Sequence, residues 1–370
     1  MVLKFPTLPP HKPSEAQYNN YLNDVKELKK WMSAYMNRLG FAPSARGWCY
    51  ALEDQRVINK GDFKKVTDKI AAFRKSGLLP FHLVAEDSAR ELEGYDLFSR
   101  EETGEQFLIE RMKDVIKSSE DYRPISYWEY QRYFPIVMVE KIDLVGLFKP
   151  VLPSAVHIFN ARGWADVNSR VALIKKIMWA EEQGLEPIIL YCGDHDPAGL
   201  QISDTLKGDG QLGELSSTLG YTSLNSLRII RFGLNLHQIE DAGLTWIDNL
   251  ETSSGKDLAS PKHPHHKLQY VQDYLSQYGA RKVEANSLVA KPEYGRQIMA
   301  DEIAKWLDQD AIDSWERDNE AASIRCKQQA ACMTAWLGML ESSGLLFTPA
   351  AQIHGAEMRN ALFNALPQGN

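Results

Sequence analysis

Two aspartates, Asp194 and Asp196, lie two positions apart in the segment GDHDPAG, directly after the apolar run IILYC at residues 188–192. Such a run is typical of a parallel strand covered on both faces, and open α/β sheets bind ligands at the carboxyl ends of these strands. Two carboxylates at this spacing repel each other unless a cation or a shared proton compensates. Oxygen ligands of this kind suit Mg²⁺. The segment predicts a metal site, but an acidic turn that caps the next helix is an alternative interpretation.

A third acid follows a second apolar run. Glu140, with Lys141 beside it, comes directly after FPIVMV at residues 134–139. Neighbouring strands of a parallel sheet lie about 5 Å apart, so their carboxyl ends can bring the three acids into one cluster. In that cluster Asp194 and Asp196 would hold Mg²⁺, and Glu140 would share the metal or handle a proton, as phosphoryl transfer requires.

The elements that must position these acids alternate between strand and helix from residue 127 onward. We predict strands at residues 134–139, 156–159, 188–192 and 227–232, a helix at 166–183, and a further strand at 281–284. Short links between elements in this order favour a parallel α/β core.

The residues before that core have a different pattern, which is mainly helical. Ser44 is a suitable N-cap for a helix that carries Arg46 and Tyr50, a second helix fits residues 61–75, and residues 78–84 follow as a strand or wing. This order suits a winged-helix module, which inserts a helix into the major groove of DNA. A solvated helix surface would be equally rich in lysine. The candidate DNA contacts are Lys64, Lys65, Arg74, Lys75 and Lys141.

Composition limits the class of protein. The 370 residues carry a net charge of −7, which argues against a generally basic nucleic-acid binder but leaves room for a local basic groove. The four cysteines show no zinc spacing. No apolar stretch approaches the length of a signal peptide core or a membrane span. We therefore expect a cytoplasmic protein without a membrane partner, associated with the nucleoid if its source is bacterial.

Two motifs, VEK at residues 139–141 and GDHDPAG at residues 193–199, resemble a Toprim domain, the catalytic module of topoisomerases, bacterial primases and several nucleases. RGWCYALE at residues 46–53 resembles the Arg-x-x-x-Tyr segment of the topoisomerase VI A subunit and its relatives, which include the meiotic double-strand-break transesterase. FRKSGLLPF at residues 73–81 is similar to a segment of stand-alone phage and plasmid relatives. VEANSL at residues 283–288 looks like the family's V-E-x-D-A-L run, with an asparagine where aspartate is usual.

The resemblance covers roughly residues 44–305 and implies a specific chemistry. Tyr50 would attack double-stranded DNA and stay joined to its 5′ end, and Arg46 would contact the scissile phosphate. The family acts as a homodimer in which the tyrosine of one protomer meets the metal of the other. Strand passage would need a separate ATPase subunit of the B type. Because the free phenol pKa lies near 10, the tyrosine would need a cation or a base close by.

These arguments predict an α/β protein with four regions. They are an N-terminal arm and helix (1–43), a winged-helix-like domain with the candidate nucleophile (44–126), a Toprim domain with extensions (127–305) and a helical C-terminal extension (306–370). Two other functions remain open. One is a Toprim nuclease in which metal-bound water attacks and Tyr50 is structural, and the other is a non-catalytic DNA-binding assembly factor.

Overall fold

The chain divides into two compact units in the computed structural model. The first comprises residues 1–91 and 132–307, and the second comprises residues 92–131 and 308–370. Structure is described for residues 3–7, 12–85, 104–161, 167–208, 212–251 and 256–343. Residues 86–103 of the predicted winged-helix-like domain and residues 344–370 of the predicted helical C-terminal extension lie outside these ranges.

Helices outnumber strands in the described residues. In chain order the elements are α1 (Glu15–Leu39), α2 (Ala45–Asp54), α3 (Phe63–Lys75), α4 (Gly104–Lys117), β1 (Tyr133–Val139), α5 (Ile142–Phe148), β2 (His157–Asn160), α6 (Val167–Glu182), β3 (Glu186–Cys192), α7 (Pro197–Leu200), α8 (Ile202–Lys207), α9 (Leu212–Thr218), β4 (Arg228–Gly233), α10 (Leu236–Ala242), α11 (Gln269–Tyr278), α12 (Pro292–Ile303) and α13 (Gln309–Ser343). Helices α4 and α13 belong to the second unit and the other elements to the first.

The four strands form one parallel sheet in the order β2-β1-β3-β4, which confirms the predicted α/β class. Strands β1 and β3 pair along their whole length, from Tyr133 opposite Glu186 to Val139 opposite Cys192. Six of the seven residues in each of these strands are buried, as their apolar runs require. The residues that follow the two strands therefore leave the sheet side by side.

Helices α1, α2 and α3 enclose a separate apolar cluster in the first unit. The prediction of a strand or wing at residues 78–84 is wrong. This segment instead contains a 3₁₀ turn, Phe81–Leu83, which begins after Pro80. The carbonyl of Leu83 accepts a hydrogen bond from the Trp48 indole at 2.5 Å. That bond holds the segment against α2, so its backbone does not pair as a strand.

In the second unit α13 packs against α4, and Lys113 forms an ion pair with Glu341 at 3.2 Å. The Trp315 indole and the Asn319 amide both bond the backbone of Ile125. Across the described ranges no helix has both the length and the apolar composition needed to span a membrane.

A buried carboxylate, Asp143, joins three segments of the first unit. It lies in the first turn of α5 and accepts hydrogen bonds from the Ser44 backbone N–H at 2.6 Å, the Ser44 hydroxyl and the Asn286 amide at 2.7 Å. Ser44 is itself the N-cap of α2. The asparagine at position 286 suits this place, because an aspartate there would put a second carboxylate against Asp143.

We expect Asp143→Ala to lower the free energy of unfolding by roughly 2 to 4 kcal/mol, because it leaves buried donors without an acceptor. Urea unfolding followed by tryptophan fluorescence measures the change. Asp68→Ala, which removes an exposed aspartate of α3, is the control and should change stability by less than about 0.5 kcal/mol. Equal effects of the two substitutions would contradict the structural role of Asp143.

Candidate functional site

Glu140 and Asp194 meet at the carboxyl ends of β1 and β3, as the sequence predicts for neighbouring strands. Glu140 Oε2 accepts the backbone N–H of Asp194 at 2.9 Å and the Tyr191 hydroxyl at 3.2 Å. The ammonium group of Lys141 lies between the two acids, 3.0 Å from Glu140 Oε1 and 2.8 Å from Asp194 Oδ2. The cluster is therefore a pair of carboxylates that share one lysine.

Burial controls the charges of this pair. It is the largest cause of the raised pKa of Asp194, which is about 7. The neighbouring Glu140 carboxylate also raises this pKa, while Lys141 lowers it. Burial also acts on Glu140, but the Lys141 ammonium and the hydrogen bonds lower the Glu140 pKa below its usual value. At neutral pH the ionised form of Asp194 is thus costly, and additional positive charge near the pair would stabilise it.

Asp196 has a different role. Its Oδ1 accepts the backbone N–H of Gly199 at 2.6 Å and caps α7. Burial raises the pKa of this carboxyl above its usual value. Asp196 thus caps a helix, as the alternative interpretation of the sequence expects, whereas Asp194 joins the acid pair. Within the described ranges, no three His, Cys, Asp or Glu side chains lie close enough together to hold a metal ion.

The acid pair still fits a magnesium ion. Proteins usually bind Mg²⁺ through one or two carboxylates, with water and substrate phosphates completing its shell. Glu140 and Asp194 each place one oxygen on a backbone N–H and the other on the Lys141 ammonium. A divalent cation would compete with Lys141 for the second oxygen of each acid. Two of the three predicted ligands could therefore face a metal that displaces Lys141, whereas Asp196 is held by its own turn.

Gly193 allows the acid pair to form. A β-carbon at this position would lie 2.0 Å from the Tyr191 hydroxyl and 2.8 Å from Glu140 Oε2. A β-carbon would therefore displace the Tyr191 ring, whose hydroxyl donates to Glu140, and crowd the Glu140 carboxylate.

Arg231, a residue that sequence reasoning missed, holds the same loop from β4. Its guanidinium donates to the carbonyls of Gly193 at 3.0 Å, Asp194 at 2.8 Å and Gly199 at 2.7 Å. Three carbonyls on one cation fix the loop backbone that carries the two aspartates. The available signal was the second of two arginines in the run LRIIRF, which lies nearer the carboxyl end of the predicted strand.

Tyr50 and Arg46 of α2 converge on one carboxylate, that of Glu284. The Tyr50 hydroxyl donates to Glu284 Oε2 at 2.7 Å. Arg46 donates from Nε to Oε2 at 2.9 Å and from Nη2 to Oε1 at 2.6 Å. Their spacing of four residues placed both on one helix face, as expected. Glu284 belongs to the VEANSL motif, but the sequence assigned it no role.

Residues 283–285 connect Glu284, with its partners Tyr50 and Arg46, to the Glu140–Asp194 pair of the same chain. The N–H of Ala285 donates to Asp194 Oδ1 at 2.8 Å, and Val283 pairs with His195 through two backbone bonds. The predicted strand at 281–284 is wrong, since only isolated bridges form there. The segment pairs with the loop after β3, outside the sheet.

Tyr50 is kept protonated in this arrangement. Only 1% of its surface is exposed. Burial, followed by the nearby Glu284 carboxylate, raises the pKa of the phenol well above its usual value. The Arg46 side chain, in contrast, is 52% exposed, so its guanidinium has a face open to solvent.

The predicted DNA contacts lie on two different parts of the first unit. Lys64 and Lys65 are exposed in the first turn of α3, while Lys75 is exposed in its last turn. Arg74 is half-buried, with its guanidinium 5.8 Å from the ring centre of Phe81. The fifth candidate, the lysine after Glu140, is bound to the acid pair as described above.

Comparison of the chain with models of known protein families, with curated proteins and with solved structures found no match.

Proposed function

We propose that the chain is a Mg²⁺-dependent DNA-cleaving transesterase in which Tyr50 attacks a phosphate of duplex DNA and stays joined to the 5′ end. One observation carries the proposal, namely that Tyr50, Arg46 and the Glu140–Asp194 pair all adjoin residues 283–285 of one chain. Phosphoryl transfer needs a nucleophile, a cation for the phosphate oxygens and acids that hold a metal, and this arrangement offers a candidate for each. The motif resemblance supports the same chemistry.

Each side chain has a distinct task in the proposal. Arg46 binds the scissile phosphate through its exposed face, because a guanidinium matches two phosphate oxygens at once. Glu140 and Asp194 would hold Mg²⁺, which when bound stabilises charge on the phosphate and the leaving oxygen. Lys141 balances the charge of the two acids before the substrate arrives. Asp196 and Arg231 hold the loop that positions Asp194.

Double-stranded DNA is the proposed substrate. A break in both strands needs two tyrosines, which favours a homodimer, and strand passage would add a separate ATPase subunit of the B type. The basic side chains of α3 (Lys64, Lys65, Arg74 and Lys75) would contact DNA phosphates.

The double substitution Lys64→Ala with Lys65→Ala tests the proposed DNA contacts of α3. If both lysines contact phosphates, the dependence of log K on log salt should become shallower by about 2, because each contact releases close to one counterion. Fluorescence anisotropy with a duplex at several salt concentrations measures the slope. Lys29→Ala with Lys30→Ala removes two exposed lysines of α1 as the control. Equal slopes for the two double variants would exclude this part of α3 from the interface.

The experiment for the proposed function traps the covalent product. Supercoiled plasmid is incubated with the protein and MgCl₂, quenched with denaturant, and analysed with and without protease treatment. We expect Mg²⁺-dependent cleavage with protein on the 5′ ends, so that a 5′-specific exonuclease cannot digest the DNA. Cleaved DNA with free 5′ ends would contradict the transesterase.

A metal-dependent nuclease is the second candidate, and the burial of Tyr50 favours it. A tyrosine that is 1% exposed must be uncovered before it can reach DNA, whereas a water molecule needs no such movement. In that case the acids serve the reaction and Tyr50 is structural. Cleavage without an adduct would identify the nuclease. DNA binding without cleavage would favour a non-catalytic assembly factor.

A further inference from the structure

Glu284 is the side chain that contacts both the candidate nucleophile and the candidate phosphate-binding arginine. We propose that Glu284 is the general base that takes the Tyr50 proton, and that Arg46 holds it inactive until a DNA phosphate draws the guanidinium away. The inference rests on the proposed function and adds a residue and a trigger to it.

The first support is geometric. A general base must lie within about 2.6 to 3.2 Å of the group whose proton it takes. Glu284 Oε2 lies 2.7 Å from the Tyr50 hydroxyl oxygen. The Glu284 side chain is only 12% exposed, so water does not compete freely for the same position.

The second support is the pairing of Glu284 with Arg46. Burial alone would raise the pKa of Glu284, but the charge of Arg46 and hydrogen bonds from Arg46 and Tyr50 lower it below its usual value. A carboxylate in this state is a weak base, and the buried phenol keeps its proton. Without DNA the tyrosine therefore stays protonated and does not act as a nucleophile.

The third support is the unequal exposure of the ion pair. Arg46 is 52% exposed while Glu284 is 12% exposed, so a phosphate can approach the guanidinium but not the carboxylate. Once the guanidinium pairs with the phosphate, Glu284 loses the cation that offsets its burial. Its basicity then rises just as the phosphate arrives beside Tyr50.

Other charged groups also face this carboxylate. They are Lys60, Lys141 and, through the Tyr50 hydroxyl, Asp194. Burial lowers the pKa of Lys60, whose ammonium lies 5.4 Å from the Tyr50 ring centre and donates to the Thr245 carbonyl. Lys141 is bound to the acid pair. Among Lys60, Lys141, Asp194 and Arg46, only Arg46 forms hydrogen bonds with Glu284. The departure of Arg46 would therefore raise the basicity of Glu284 more than the departure of another cation.

The proposed step balances. The Tyr50 proton passes to Glu284 as the phenol oxygen forms a bond to phosphorus, and the bond from phosphorus to the 3′ oxygen of DNA breaks. The 3′ oxygen takes a proton from water, and Glu284 returns its proton to solvent. One phosphodiester replaces another, so no oxidant, reductant or further reactant is consumed.

The test measures adduct formation by Glu284→Gln in a single turnover, with duplex affinity measured separately in EDTA. We expect duplex affinity within about twofold of wild type, because Arg46 keeps its exposed face. Adduct formation should fall about 100-fold or more at pH 7 and recover as pH rises, since hydroxide replaces the base. In Glu284→Ala, added formate should restore part of the rate. Glu293→Gln, at an exposed position of α12, is the matched control.

Two results separate this inference from the proposed function. If the wild-type chain forms an adduct and Glu284→Gln does so at the same rate and with the same pH profile, Glu284 is not the base. If the wild-type chain forms no adduct, the proposed function and the role of Glu284 both fail. Should the glutamine variant not fold, Glu284→Asp decides the question. It should react slowly with the wild-type pH profile, and a profile shifted by one pH unit or more would overturn the proposal.

Discussion

Tyr50→Phe is expected to abolish the covalent protein–DNA adduct, with a fall of about 10,000-fold or more in its rate of formation, because phenylalanine has no oxygen to bond to phosphorus. The fold should survive. The Tyr50 ring packs edge-on against Phe63 at 4.9 Å, and phenylalanine keeps that contact. The lost hydrogen bond to Glu284 should cost about 1 kcal/mol of stability.

Tyr35→Phe is a matched control for this substitution. Tyr35 is buried in the same apolar cluster, and its hydroxyl donates to the Val289 carbonyl at 2.9 Å. This variant loses a buried hydrogen bond of the same kind without touching the proposed nucleophile. It should form the adduct at the wild-type rate. DNA cleavage that persists in Tyr50→Phe would assign the attack to water and leave the nuclease as the function.

The sheet could be predicted from the sequence because its signal is local. A run of six apolar residues followed at once by a charged one predicts a buried strand and the point where it ends. The acid pair could be predicted from these strand ends. Glu140 comes directly after one apolar run, and Asp194 is separated from another by Gly193. The two acids lie together because β1 and β3 are neighbouring strands.

The partners of the site could not be predicted in the same way. Glu284 lies 234 positions from Tyr50 in the chain, and one hydrogen bond between distant residues leaves no periodic pattern. Lys141 was expected to face DNA, but desolvated carboxylates on both sides bind its ammonium. A contact between charged groups depends on tertiary packing, which composition and spacing do not reveal.

The two wrong strand predictions share a physical cause. Residues 78–84 and 281–284 are both short segments, and short segments take the structure that their tertiary neighbours impose. The first is held by the Trp48 indole and the second by the loop that contains His195.

Asp194→Asn should abolish cleavage and yet stabilise the protein above about pH 7. Loss of one of the two carboxylates that fit Mg²⁺ should slow adduct formation about 1,000-fold or more, equivalent to several kcal/mol in the barrier. The stability gain comes from the raised pKa. Asp194 ionises near pH 7 in the folded chain, against an ordinary value of 3.8.

The sign of the pH effect follows from proton binding. Below pH 3.8 both states of the wild-type chain hold the proton, so Asp194 has no differential effect. Between that value and about 7 the folded state keeps the proton and the unfolded state has lost it, so stability falls as pH rises, by up to about 1.4 kcal/mol for each unit. Asparagine does not titrate. The advantage of the variant should grow across this window and stay constant above it.

Glu140→Gln provides the opposite case at the same site. The pKa of Glu140 is lowered because Lys141 and its hydrogen bonds outweigh burial, so its ionised form stabilises the fold at neutral pH. This variant should also lose cleavage, but it should be less stable than wild type at pH 8. Urea unfolding at pH 5 and pH 8 distinguishes the two substitutions.

Added MgCl₂ should raise the Tm of the wild-type chain more than that of either variant, since each lacks one of the paired carboxylates. If Asp194→Asn is destabilised at pH 8, the pKa of Asp194 is not raised in the folded chain. If MgCl₂ shifts the Tm of all three chains equally, Glu140 and Asp194 do not hold the metal as a pair.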